Sequence, residues 1–97
     1  MLSLQDIYKA IVLRIVTQQA DLVGTLAWEV VEQVDGLSIT NILKREIEIT
    51  GEPKEVINVL VEKYQKLFGK MAKDVCKDCV ADIIVEMDSD DIPDYLK

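Results

Sequence analysis

A mainly α-helical fold, two long antiparallel helices connected through a short β-hairpin, is expected from three features of the sequence. Apolar residues recur at helical spacing from Leu4 to Val34, they do so again from Pro53 to about Met87, and a short alternating stretch separates the two runs. The first run has an apolar face wide enough that two chains are expected to pair into a four-helix bundle.

Ser3 opens the first helix, because Asp6 stands three residues later and the pair can form a capping box. Leu13, Val16, Ala20, Val23, Ala27, Val30 and Val34 then form one stripe. Leu4, Tyr8, Val12, Ile15, Leu22 and Leu26 form a second beside it, interrupted by Gln19. A straight helix over this run would extend about 46 Å, whereas a domain of this size has a radius of gyration of roughly 12 to 13 Å. One such chain would leave much of the rod uncovered, so a homodimer is expected. Val16, Ala20, Val23, Ala27 and Val30 would face the partner copy, and Leu22 and Leu26 the antiparallel helix. Gly24, inside the run, reads as a point of close backbone approach, with a kink as the alternative. Trp28 reads as the rim of the core, or else as an anchor for a partner.

Asp35-Gly36 closes the first helix, and the period changes to two. Leu37 and Ile39 on one strand can share a face with Ile47 and Ile49 on the next, which predicts a hairpin at about residues 37–50 connected through Asn41 to Lys44. Gly51-Glu52-Pro53 restarts helix, with Pro at the first helical position and Glu55 in the first turn. Ile57, Leu60, Tyr64, Leu67, Phe68, Met71, Val75, Cys79 and Ile83 continue the helical period. Because Phe68, Met71, Ala72 and Val75 stay in phase across Gly69, a continuous or gently bent second helix is expected. Residues 1–87 thus read as one helical domain and 88–97 as an acidic tail, expected to be mobile.

The chain has 97 residues, a formal net charge of −7 and no His. The negative charge opposes binding to a phosphate backbone, so nucleic acid is an unfavoured partner. No run of 18 consecutive apolar residues and no leader-like N-terminus is present, so a cytoplasmic protein without a membrane partner is expected.

Cys76 and Cys79 form a lone Cys-x-x-Cys within a helical pattern, away from the helix N-terminus that a thioredoxin-like pair requires. They read as small core residues. The alternatives are an intersubunit disulfide or an intersubunit metal site with two cysteines from each copy. No cofactor is expected. Without His the usual general base is absent, the four glycines form no phosphate-binding loop, and the carboxylate pairs Glu29/Glu32 and Asp74/Asp78 read as solvated faces, so the chain reads as non-enzymatic.

Lys63, Lys66, Lys70, Lys73 and Lys77 recur at three and four residues, a basic ridge that is solvated or docks an acidic partner, including the chain's own tail. Ile92, Tyr95 and Leu96 in that tail read as part of a solubilising end or of a short recognition segment. Asp88, Asp90 and Asp91 lack the Gly and the distant Glu of a calcium loop.

The functional expectation is a small protein-interaction or dimerisation module, an adaptor or regulatory subunit. The alternative is a ligand- or redox-responsive regulator using a bundle core lined by Tyr64, Phe68, Met71 and Cys79, or the Cys76/Cys79 pair. An accessory subunit of an enzyme is the third reading.

Overall fold

The computed structural model describes residues 3–97. The first helix, α1 (Leu4–Val23), begins as its sequence specifies: the Ser3 hydroxyl accepts from the Asp6 N–H, and the Asp6 carboxylate accepts from the Ser3 N–H. Then come α2 (Leu26–Glu32), β1 (Leu37–Asn41), β2 (Glu46–Ile49), α3 (Pro53–Phe68), α4 (Lys70–Cys79) and α5 (Ala81–Ile84). Two single 3-10 turns, Ser89–Asp91 and Asp94–Leu96, follow. The chain is mainly helical with one two-stranded antiparallel hairpin.

The expected 31-residue rod is not continuous. Gly24 takes φ +70° and ψ −147°, a backbone geometry closed to residues with a Cβ, and ends α1. Its N–H still bonds the Ala20 carbonyl, and α2 starts again when Ala27 donates to the Gly24 carbonyl. The break lets α2 fold back on α1. The kink, rather than close backbone packing, is thus what Gly24 supplies: among the described residues nothing lies within 4 Å of where its Cβ would stand. The molecule extends only 31 × 28 × 20 Å, with a radius of gyration of 12.2 Å.

The second long helix is divided as well. Gly69, at φ +92°, separates α3 from α4, and Val80 separates α4 from α5. The inward positions run Ile57, Leu60, Val61, Tyr64, then Ala72, Cys76 and Val80, all buried, whereas Met71 is 79% exposed. Of the expected continuation through Met71, Val75 and Cys79, Met71 therefore leaves the core, while Val75 is half-buried and Cys79 packs half-buried against it. Steps of four residues hold the buried edge across the glycine.

The hairpin follows the alternation in its sequence. Leu37 pairs with Ile49 and Ile39 with Ile47, and Leu37, Ile47 and Ile49 bury their side chains. β1 lies on α2 and β2 on α1, which supplies the support that two strands lack alone. Gly36, at φ +86°, connects α2 to β1, and its carbonyl accepts from Thr50.

One core results, built from α1, α2, the hairpin, α3 and α4. The acidic end joins it instead of moving freely. The Tyr8 hydroxyl donates to the Asp91 carbonyl at 2.7 Å, Lys54 Nζ to the Asp90 carbonyl at 2.7 Å, and the Tyr95 N–H to Asn58 Oδ1 at 3.0 Å. Pro93 and Leu96 are buried.

The glycines differ in a way that stability measurements resolve. Gly24→Ala meets only backbone strain, expected at about 1 to 2 kcal/mol. Gly36→Ala meets the same strain and also sets a Cβ 2.9 Å from Val56 Cγ2 and 3.1 Å from the Gly51 nitrogen. Urea unfolding should rank Gly36→Ala as the more damaging by at least about 1 kcal/mol; equal midpoints would contradict this packing of the α2–β1 connection.

Candidate protein-docking cleft

The residues expected to form a dimer face separate into two groups. Val16 and Ala27 are fully buried and Val30 is 2% exposed, all within the single chain; Ala20 and Val23 are half-buried. Leu22, at 63% exposure, and Leu26, at 51%, do not face an antiparallel helix but stand at the surface on either side of Gly24. The break at Gly24 is the cause, because it turns the main stripe inward and leaves the bend uncovered.

Leu26 forms one wall of an open cleft of about 480 Å³, lined by Leu26, Glu29, Val30 and Glu32 of α2, by its C-cap Gln33, and by Leu67 and Phe68 of α3. Leu26, Glu29, Val30 and Gln33 fall at i, i+3, i+4 and i+7, one face of a helix. Leu67 and Phe68 end α3 immediately before Gly69. Each wall therefore adjoins a glycine break. The cleft lies within the roughly 300 to 1,000 Å³ of typical binding pockets. Glu29 and Glu32 are the charged residues of its lining, and among the described residues no cation lines it.

The walls are held from beneath. The Tyr64 hydroxyl donates to the Ala27 carbonyl at 2.8 Å and fixes α3 to α2 one turn below the cleft. Burial raises the pKa of that phenol, and the nearby Cys76 adds to the shift. The Tyr64 and Phe68 rings stack with centroids 6.3 Å apart, so Phe68 is positioned by a fully buried neighbour.

Gln19, which interrupts the second apolar stripe, lies at the heart of the molecule. Its Nε2 donates to the Ala72 carbonyl at 2.8 Å and contacts Cys76 Sγ at 3.3 Å, tying the last turns of α1 to α4. Among the described residues its Oε1 is the buried side-chain oxygen without a partner. Such an atom carries a desolvation cost of about 1 to 3 kcal/mol.

Cys76 and Cys79 sit in the C-terminal half of α4, where the helix dipole disfavours a thiolate. Cys76 is fully buried and Cys79 half-buried, with Cys79 Sγ donating to the Cys76 carbonyl. Burial pushes the Cys76 thiol up to about 12, against the smaller pull of the Gln19 hydrogen bond. Burial also pushes Cys79 up to about 11, offset in part by Arg14. Two copies could share four thiolates only by uncovering Cys76 from its own core. The proposed lining of Tyr64, Phe68, Met71 and Cys79 does not converge either, since Met71 faces outward.

The basic ridge is divided by Gly69, with Lys63 and Lys66 on α3 and Lys70, Lys73 and Lys77 on α4. Lys66 pairs with Glu62 at 3.0 Å, and Lys73 lies 5.1 Å above the Tyr95 ring. The tail thus meets the ridge at one lysine, while Ile92 is half-buried and Leu96 fully engaged in the core. Trp28 packs half-buried against the core. Among the described residues, no three His, Cys, Asp or Glu side chains gather in a metal-like group, and no helix is long and apolar enough to cross a membrane.

Sequence periodicity did not find Leu67, Phe68, Glu29, Glu32 and Gln33 as a unit, since the cleft exists only once both helices bend. The glycines were the available signal. No known family, curated protein or solved structure matches this chain.

The thiols make a pH test. A thiol whose folded-state pKa lies above its ordinary value near 9 contributes stability below pH 9 and loses it as pH rises through about 11 to 12. The double substitution Cys76→Ala, Cys79→Ala should make the fall of the urea midpoint between pH 9 and 11 visibly shallower; an unchanged slope would contradict the protonated, enclosed thiols.

Proposed function

We propose that this chain is a non-enzymatic protein-interaction module, an adaptor or regulatory subunit, which docks a partner's apolar segment in the α2–α3 cleft. The observation that carries this reading is the pairing of exposed Leu26 and Leu67, at 51% and 57%, with Glu29 and Glu32 as the charged residues that line the same cleft. Covering those two half-exposed side chains would contribute about 1 kcal/mol each, and exposed leucines at neighbouring positions are what a docking site presents before its partner arrives.

The acidic rim selects the partner's chemistry. A segment with apolar residues in the cleft and Lys or Arg beside them gains attraction from Glu29 and Glu32, whereas an acidic segment is repelled. Leu22, two residues before Gly24 and 63% exposed, lies outside the cleft and offers a longer ligand a further apolar contact. A homodimer is one form this docking takes, with the exposed bends rather than Val16 and Ala27 as its contact.

Titration of the full chain with an 18-residue amphipathic Leu/Lys peptide, followed by amide resonances, should move Leu26, Glu29, Leu67 and Phe68 first. A Leu/Glu peptide of the same pattern should bind at least about tenfold more weakly. Equal binding of the two peptides, or shifts centred elsewhere, would contradict the assignment.

A further inference from the structure

The tip of the hairpin is as unusual as the cleft. Connections between strands are ordinarily polar, yet this one presents Ile42 at 60% and Leu43 at 93% exposure, the latter among the most exposed of the large apolar side chains. Lys44 and Arg45 follow directly, and both are exposed. The turn is held in shape: the Lys44 N–H donates to Asn41 Oδ1 at 3.1 Å, the Arg45 N–H to the Ile42 carbonyl at 3.3 Å, and Arg45 takes φ +54°. A register irregularity between Ile39 and Asn41 sets off the tip from the ladder. The result is a small apolar knob with two cations at its base.

Knob and cleft are complementary in apolar surface and in net charge, since Lys44 and Arg45 outnumber the adjoining Glu46. Ile42 and Leu43 match a floor of Leu26, Leu67 and Phe68, while Lys44 and Arg45 match Glu29 and Glu32 at its rim. Within one chain the two do not meet, since the tip stands in solvent and the cleft is open. We infer that the occupant of the cleft is the hairpin tip of a second copy of this chain, inserted with its Lys44 and Arg45 against the partner's acidic rim.

This inference rests on reading the cleft as a protein-docking site and adds its partner. Each copy offers one knob and one hole. Reciprocal insertion closes a two-fold pair, and one-way insertion continues head to tail. Two apolar side chains and two solvent-exposed charge pairs make a contact that is concentration-dependent and weakened by salt. A high local density of copies, as on a shared scaffold, would strengthen it by avidity.

Sedimentation velocity on the full chain tests this. The wild-type mass should rise above the monomer between about 10 μM and 1 mM, and the rise should shrink at high salt. Leu43→Asp, which removes a side chain without a role in the core, should remain monomeric, as should the cleft variant Leu26→Asp. Mixed together, the two should form a 1:1 heterodimer, because the intact tip of one fits the intact cleft of the other. If Leu26→Asp unfolds by circular dichroism, the rim reversal Glu29→Lys, Glu32→Lys takes its place. A monomeric wild type over the whole range, including one that instead sediments with phosphatidylglycerol vesicles, overturns the inference. So does wild-type-like association of Leu43→Asp, which would mean cleft-to-cleft contact, or a mixture without heterodimer. Binding of the Leu/Lys peptide to Leu43→Asp separates the two claims. If the peptide binds but wild-type copies do not associate, the occupant is wrong and the cleft reading stands; if neither occurs, both fall.

Discussion

Two left-handed glycines govern this molecule. At Gly24 and Gly69 the backbone takes positive φ, and each turns what would be a long amphipathic rod into two shorter pieces. Only then can α2 lie back on α1 and α4 reach α1 beside Gln19. A straight helix over Leu4 to Val34 would carry a broad greasy face over about 46 Å, beyond what 97 residues can shelter. Bent, the same residues bury Ile11, Val12, Ile15, Val16, Ala27, Val30 and Val31 in one core. The physical reason for obligatory pairing thereby disappears.

The same bends create the surface on which function is proposed. A break in a helix ends its packing on one side, and the side chains just beyond it have no neighbour to cover them. Leu22 and Leu26 flank Gly24 in this way, and Leu67 and Met71 flank Gly69. The Tyr64 bond to the Ala27 carbonyl then holds α2 and α3 together below the opening, so the cleft is a fixed feature of the fold. At the other end of the chain the acidic segment is consumed in sealing the core, with Pro93 and Leu96 buried and Tyr8, Lys54 and Asn58 anchoring it. Ile92, Tyr95 and Leu96 thus have structural partners at home.

Much of the local structure was legible in the sequence. Ser3 and Asp6 announced their capping box, Pro53 its helix start, and Leu37, Ile39, Ile47 and Ile49 their shared face, because each depends on residues close in the chain or on strict alternation. What was not legible was the consequence of a glycine inside a good helical pattern. Periodicity reports the face a residue would occupy if the helix continued, and it is blind to the turn that ends it. Met71 kept its phase on paper and lost it at Gly69. Gln19 appeared as a flaw in a stripe, although its amide reaches Ala72 and Cys76 across the core. The cleft was hidden for the same reason, since its walls are 34 or more residues apart in sequence. The apolar pair Ile42-Leu43 in a predicted loop was visible, and its exposure is what gives it meaning.

The fold and its cleft require the helices to fold back within one chain. An isotope-filtered NOE experiment on a mixture of labelled and unlabelled protein tests this at the Ala27–Tyr64 contact. Carbon shifts should show helix interrupted at Gly24 and Gly69, and the cross-peak between the Ala27 methyl and the Tyr64 ring should be intramolecular alone. Unbroken helical shifts through both glycines, with that cross-peak arising between different copies, would contradict the fold and the cleft built on it.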